Sequence, residues 1–551
     1  MAKRPTASRR QPASAVLSVS EIRRVAATDL GKATRLAAEA KSAGLADPFV
    51  HHLLAIKLKQ DGKFEDAVAE LGLGLQLDPQ NPRLMTEVGF CLLELGRRRE
   101  AAQVLGVALK LDPKSAETNF GYGWAAERLG TLAVAESAFK RALELNPNHA
   151  DAAAGLSGLA VRRREWDAAR SYALRALALD PRQTDAQMNL ARVELGTGDF
   201  AAAEAQLRRI VELPYLKPQA RASARLLLGD ALDGAGRFAE AFTAYDQGKT
   251  EMREQFDRNF EGQRANTAYD GVQEILGEFL ETPASAWARP ARLVSRTDER
   301  GHAFLVGFPR SGTTLLEQVL ATHPDVVALD ERPVMIEAEV EFLTQPGGVK
   351  RLSSVISELL EPFRDAYWKR VREFGVNPAG KVFVDKHPLS TFRLPLISKV
   401  FPNAKIIFAL RDPRDVVLSC FRRSFNMNAA MYEFNTIEGA ARFYDAVMHA
   451  GEIYMDRLPI DVCRLRYEDL VADFEGSTGA LCDFLDIERT ARLSDFAATA
   501  AAGRIATPSS AQVGRGLYSE GAGQWRNYRF ALEPALPILQ PWIEKFGYEP
   551  T

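Results

Sequence analysis

Cysteine is scarce. The 551 residues hold four, Cys91, Cys420, Cys463 and Cys482, scattered without metal-ligand spacing. A cysteine-based metal site is therefore excluded. The expectation is reduced thiols in a cytoplasmic protein, with a disulfide among the last three as the alternative. Net charge is also nearly absent: 70 Lys and Arg against 72 Asp and Glu leave −2. That balance argues against a dominant nucleic-acid role. No run approaches the length and apolarity of a membrane span. The amino terminus has Lys3, Arg4, Arg9 and Arg10 but neither an acid nor an apolar centre. It does not read as a secretory signal, and residues 1–17 are expected as a disordered basic tail. The length exceeds one ordinary core and implies two or three domains.

What is present first is a repeat with a 34-residue period. Leu-Asp-Pro or Leu-Asn-Pro recurs with Pro79, Pro113, Pro147 and Pro181. Ala67, Ala101, Ala135 and Ala169 precede these prolines at a constant offset, and Ala203 continues the series. Glycine falls at Gly62, Gly96, Gly130 and Gly198; Arg164 breaks the pattern once, and Gly236 belongs to a longer, later unit. The physical reading is paired antiparallel helices. The glycine ends helix A, the alanine lets helix B pack closely, and the proline stops helix B. Phe64, Trp166, Phe200 and Phe238 follow the glycine position and begin helix B. The pattern resembles the tetratricopeptide repeat, with Gly89 and Gly123 at its small helix-A position and Ala108, Ala142 and Ala176 at its second small helix-B position. The resemblance implies a groove for a peptide or partner protein; a rigid spacer is the plainer reading. Residues 18–251 are expected as this all-α solenoid with an amino-terminal helical cap, and 252–300 as a junction.

The carboxyl-terminal half turns on Phe304-Leu-Val-Gly-Phe-Pro-Arg-Ser-Gly-Thr-Thr-Leu-Leu316. An apolar run from Ala303 to Val306 predicts a buried strand, Gly307 to Gly312 a turn, and Thr313 onward a helix with Leu315, Leu316, Val319 and Leu320 on its apolar side. Strand, glycine-bounded loop and helix N-terminus form an anion cradle. The spacing is that of a Walker A loop, but Thr313 stands where the lysine belongs and Arg310 brings the charge from another direction. Further on, Val326–Leu329 predicts a strand delivering Asp330 and Glu331 to the edge where ligands sit in a doubly wound sheet. Another strand ends in Asp385 and Lys386. Lys405–Leu410 ends in Arg411, with Asp412 as N-cap and Pro413 opening a helix that carries Ser419, Arg422 and Arg423. An arginine fork and a hydroxyl suit a second phosphate. Val462–Leu465 ends in Arg466 and Tyr467; the tyrosine suits a base, a phosphate or the core. The polar run from Thr507 through Arg515 to Tyr528 reads as a flap.

Pro309-Arg-Ser-Gly-Thr-Thr314, His323-Pro324 and Arg411-Asp-Pro-Arg-Asp415 with Ser419 together resemble the sulfotransferases, nearest to tyrosylprotein sulfotransferases and to bacterial fusions with tetratricopeptide repeats. The resemblance implies a P-loop-like α/β domain with a mostly parallel sheet over residues 301–551, and 3′-phosphoadenosine 5′-phosphosulfate (PAPS) as donor, with no metal. By the family pattern, Pro309, Arg310, Ser311, Gly312, Thr313 and Thr314 hold the 5′-phosphosulfate. Arg411, Ser419 and Arg423 take the 3′-phosphate, Tyr467 the nucleotide, and Arg515, in the flap, is a further expected cofactor-binding residue. Glu331 falls at the catalytic base, Lys386 at the donor-side lysine, and Ser509, in preference to Ser510, at the sulfate-touching serine. Pro333 and Gln524 replace basic residues of the pattern, which bears on the acceptor more than the donor. The acceptor stays open among peptide tyrosine, glycan, lipid and small phenol or alcohol, with the repeats favouring a protein or peptide. Two other readings are a metal-dependent P-loop kinase or nucleotidase, which Thr313 opposes, and a non-enzymatic scaffold, which the joint presence of Arg310, Glu331, Lys386, Arg411 and Ser419 opposes.

Overall fold

The computed structural model describes residues 18–259, 267–289, 298–425, 427–496 and 521–550. Helices α1 (Val19–Ala26) and α2 (Leu30–Ser42) lead into helical pairs. These are α3 (Pro48–Gln60) with α4 (Phe64–Leu77), α5 (Pro82–Glu94) with α6 (Arg98–Leu111), α7 (Ala116–Arg128) with α8 (Leu132–Leu145), and α9 (Ala150–Arg163) with α10 (Trp166–Leu179). Then follow α11 (Thr184–Thr197) with α12 (Phe200–Val211) and the longer pair α13 (Pro218–Gly234) with α14 (Phe238–Asn259). The chain divides into two compact units, 1–190 and 191–551, with the boundary inside α11.

In the first unit the repeat rules have direct structural causes. Gly62, Gly96 and Gly130 follow their helices with φ of 73°, 72° and 81°. Arg164, where the glycine series lapses, adopts the same left-handed turn at φ 61°. The geometry of the turn is thus kept at a cost in backbone strain of roughly 1–2 kcal/mol. Ala67, Ala101, Ala135 and Ala169 are fully buried. Space is equally tight on helix A: a Cβ at Gly89 would lie 2.4 Å from Leu105, and one at Gly123 2.7 Å from Phe139.

In the second unit, α13 and α14 close the solenoid, and α14 continues to Asn259, beyond the last residue of the sequence period. After α15 (Ala268–Leu280) comes a parallel sheet of β1 (Gly301–Gly307), β2 (Val326–Asp330), β3 (Val382–Lys386), β4 (Lys405–Leu410) and β5 (Asp461–Arg466), ordered β2-β3-β1-β4-β5. The inner strands β1, β3 and β4 are near-continuous buried runs because helices cover both faces, whereas the edge strand β5 is only partly buried. The intervening helices include α16 (Thr313–Ala321), α17 (Ile336–Phe342), α18 (Gly348–Ser354), α19 (Glu361–Glu373), α20 (Leu394–Val400) and α21 (Pro413–Arg422). On one face Leu305, Val384, Ile407 and Leu465 pack with Leu315, Leu316, Val319 and Leu320 of α16. On the other, Phe304 and Phe383 meet Tyr367 and Trp368 of α19. The four cysteines are free thiols, which removes the disulfide alternative. Among the described residues no helix is long and apolar enough to cross a membrane.

Two glycines separate space from propensity. Gly89→Ala should lower stability by about 1–3 kcal/mol through overpacking against Leu105. Gly72→Ala, in α4 with nothing within 4 Å of its added Cβ, should raise it by up to about 1 kcal/mol. Urea unfolding of the two variants checks both signs.

Candidate active site

The site is built where β1 ends. β1 is the central strand, with β3 and β2 on one side and β4 and β5 on the other, so the loop after Gly307 opens at the point where the strand order reverses. Gly307 is seated by Thr391, whose hydroxyl donates to its carbonyl at 2.6 Å and accepts from its amide at 2.9 Å. The turn then runs through Arg310 at φ 74° to Gly312 at φ 91°. Gly312 is the N-cap of α16 and brings no side-chain cap. The first turn of α16 thus points its amides into the loop without a side-chain cap, the kind of helix end that suits an anion. A side chain at Gly312 is ruled out twice, by the left-handed backbone and by the Tyr467 ring 2.9 Å from where its Cβ would be.

From the β4 side, two contacts hold this turn. Arg411 Nη1 donates to the Arg310 carbonyl at 3.0 Å, and Arg310 Nε donates to Ser419 Oγ on α21 at 2.9 Å. Arg411 also donates through Nη2 to the Gly521 carbonyl and lies 5.2 Å from the centre of the Tyr467 ring. Its buried Nε has no hydrogen-bond partner among the described residues, an orphaned donor of the kind an anionic ligand satisfies. The start of α21 is capped by Asp412, which accepts from Arg414 N at 3.0 Å. Asp415, pushed up to about 6 by burial despite the nearby Arg411 charge, accepts from the amides of Gly523 at 2.6 Å and Trp525 at 2.9 Å.

The opposite side is acidic. Register places Leu305, Lys386 and Asp330 side by side across β1, β3 and β2. The Lys386 ammonium is fully buried and pairs with Asp330, with Glu331 Oε1 at 2.7 Å and with Glu317 Oε2 of α16 at 3.4 Å. Burial works against its charge, but Glu317, Glu331 and Asp330 outweigh it and hold its pKa above the ordinary value. One ammonium cannot neutralise three carboxylates. Glu317 is the most buried of them, and burial pushes its pKa up to about 7 even though Lys386 pulls it down. Glu331, by contrast, is 40% exposed and sits at φ 42°. Among the described residues the non-glycine positions with positive φ are Arg164, Arg310, Glu331 and Asp486. Two of the four face this crevice, and strain of roughly 1–3 kcal/mol at each marks an over-determined site.

Residues 303–491 match the family model described as the sulfotransferase family, and stretches between 58 and 251 match tetratricopeptide repeat models. The chain joins tetratricopeptide repeats to a sulfotransferase-family domain. A protein of Aquifex aeolicus (strain VF5), named only as uncharacterized, is 25% identical over 366 residues; the match covers 63% of this chain but less than half, 45%, of that protein. Protein-tyrosine sulfotransferase 1 of Danio rerio is 27% identical over 260 residues, 45% of this chain and 72% of the relative. Among solved structures, the type IV pilus biogenesis factor PilW is 23% identical with a TM-score of 0.32, covering 39% of this chain and 95% of its own.

Within the sulfotransferase-family domain, Pro309, Arg310, Ser311, Gly312, Thr313, Thr314, Arg411, Ser419 and Tyr467 gather around one turn, and Glu331 and Lys386 meet directly. Pro309 lends its carbonyl to the Cys420 thiol at 3.4 Å. Arg423 is placed elsewhere. Its guanidinium pairs with Asp230 of α13 at 3.6 Å, and no hydrogen bond or ion pair joins it to the turn among the described residues. Ser509, Ser510 and Arg515 lie outside the described residues. His323 is structural: Nδ1 accepts from Asp325 N at 3.0 Å and Nε2 meets the Glu488 carbonyl at 2.7 Å. Sequence reading passed over Glu317, Thr391 and Asp415. Asp415 stood in the Arg411–Asp415 motif without a role of its own, and Glu317 left a signal as a glutamate set among Leu315, Leu316, Val319 and Leu320 in a helix read only for its apolar side.

Glu317 makes stability depend on pH with a definite sign. Its folded pKa of about 7 exceeds the ordinary 4.5, so between those values the folded protein holds a proton that the unfolded chain has lost. Stability therefore falls as pH rises from 4.5 to 7, by about 2–3 kcal/mol from this group. Glu317→Gln should flatten that fall in urea unfolding at stepped pH. Parallel profiles for the two proteins would mean that Glu317 is ionised throughout.

Proposed function

We propose that the sulfotransferase-family domain moves a sulfuryl group from PAPS to an acceptor hydroxyl, with Glu331 as general base. One observation carries this reading: the exposed Glu331 carboxylate is ion-paired to buried Lys386, and Lys386 lies in register with the strand whose loop supplies the uncapped amides. PAPS supplies an activated sulfate on a phosphate leaving group. The residues present fit its two anionic ends. Ser311, Thr313, Thr314 and the α16 amides hold the 5′ end, while Arg411 and Ser419 hold the 3′-phosphate. Tyr467 lines the nucleotide side. Arg423 is committed to Asp230 and is omitted.

Glu331 takes the proton from the acceptor O–H as that oxygen forms its bond to sulfur. The bond between sulfur and the 5′-phosphate oxygen breaks, and 3′-phosphoadenosine 5′-phosphate (PAP) leaves. Lys386 and Arg310 set fixed positive charge where negative charge develops on the leaving oxygen, in a desolvated site where such charges act most strongly. Lys386 also keeps the Glu331 carboxylate oriented, so that positioning and proton transfer are supplied by one pair.

The favoured acceptor is a tyrosine of a peptide or protein. That choice is supported by relatives named as protein-tyrosine sulfotransferases and by the repeats, whose kind commonly receives extended chains.

Calorimetric titration with PAP, with and without EDTA and against AMP and ATP, is the primary test. Binding of PAP in preference to AMP and ATP, unchanged by EDTA, supports the donor; preference for Mg-ATP overturns it. Glu331→Ala should lower turnover by about 10²–10⁴-fold with PAP affinity retained, and near-normal turnover would remove Glu331 from the chemistry. Arg411→Ala should weaken PAP far more than AMP, which lacks the 3′-phosphate; equal losses would refute that assignment.

A further inference from the structure

Helix α21 is gripped from two sides by consecutive residues. On the loop side Ser419 accepts from Arg310 Nε at 2.9 Å and the Cys420 thiol meets the Pro309 carbonyl at 3.4 Å. The next residues turn to the last helical pair of the repeats. Phe421 stacks on Phe242 of α14 with ring centres 5.4 Å apart. Arg422, 7% exposed, donates to Asp233 Oδ2 of α13 at 2.6 Å. The same guanidinium lies over the rings of Tyr245 and Tyr528, at 5.3 and 5.2 Å, and donates to Gln524 Oε1 at 3.2 Å. Tyr528 in turn donates to Asp233 Oδ1. Finally Lys249 of α14, 1% exposed, donates to the Arg423 carbonyl at 2.8 Å.

These contacts are stronger than mere adjacency requires. A guanidinium withdrawn from water needs its countercharge, and losing one partner of such a buried pair leaves the other charge uncompensated. A ten-residue helix (Pro413–Arg422) has little stability of its own and takes its position from tertiary contacts. The Lys249 amine donates to the Arg423 carbonyl at the carbonyl end of that helix, where a side-chain donor is favourable. Burial pushes the Lys249 pKa down to about 7, so the contact is held in an apolar setting with Phe425 beside it.

We infer that Asp233 and Lys249 of the terminal repeat are positioning residues for the donor site. Through Arg422 and the Arg423 carbonyl they fix α21, and α21 fixes the Ser419 hydroxyl on which Arg310 rests. The last repeat is then a working part of the catalytic domain as well as the end of the solenoid. A ligand-binding constellation tolerates displacements of only about 0.5 Å, and the hold on α21 supplies that constraint. The inference rests on the donor reading given above, since Ser419 and Arg310 are its ligand-facing residues.

The test is a double-mutant cycle on the full chain, read as PAP affinity by calorimetry. Asp233→Asn alone should weaken PAP about tenfold and raise the KM for PAPS while leaving the acceptor KM within about twofold. In a Ser419→Ala background, Asp233→Asn should add less than about twofold, because the group it positions is already gone. Independent, multiplying losses would overturn the inference, as would an unchanged PAP affinity in Asp233→Asn. Lys249→Met, which keeps the apolar stem and removes the donor to Arg423, runs through the same cycle if Asp233→Asn does not fold. If the unmodified chain fails to bind PAP, the donor reading itself falls, an outcome distinct from normal PAP binding with an inert Asp233.

Discussion

The left-handed turn at Arg310 is the constraint on which the rest of the site depends. A non-glycine residue holds φ of 74° only when its surroundings leave it no alternative. Here they do so from both ends of one residue. Arg411 takes the carbonyl, and Ser419 takes the side-chain Nε. Both partners come from the unit β4–α21, so the loop's shape depends on contacts that β4, paired with β1, brings beside it. The anion cradle is therefore a product of sheet formation, and the loop sequence by itself does not make it.

The two sides of β1 carry opposite charge for a physical reason. Toward β4, Arg310 and Arg411 converge, and the orphaned Arg411 Nε faces an interior without a protein acceptor among the described residues. Toward β2, one buried ammonium organises three carboxylates. Charge separation across a single strand gives the crevice a direction, with guanidinium groups at one end and carboxylates at the other. Burial sorts the three acids further. Glu317, on the buried side of α16, has its pKa pushed up, while Glu331 stays 40% exposed.

Much of this was legible in the chain. The 34-residue period located helix ends to within a residue or two, because each unit must turn and pack in the same space. Even the lapse at Arg164 kept the left-handed turn. The loop, the strand-end acids and Lys386 were readable because parallel strands are short apolar runs and their carboxyl ends deliver polar residues to one edge. Arg423 was not readable. Its place beside Arg411 and Ser419 in sequence says nothing about Asp230, which lies in a helix nearly two hundred positions earlier and captures it.

Local pattern thus determined the repeats, the strand–loop–helix unit and the identity of the residues at the sheet edge, since all of these follow from spacing along the chain. Only the tertiary structure decided how those residues are charged and what holds them. Lys386 could face any acid until β2, β3 and α16 packed, and that packing buried Glu317 most deeply, which pushes its pKa up. Likewise α21 could end as an ordinary surface helix; the buried Arg422–Asp233 pair joins it to the last repeat. Burial and pairing depend on neighbours distant in sequence, and periodicity along the chain does not carry that information.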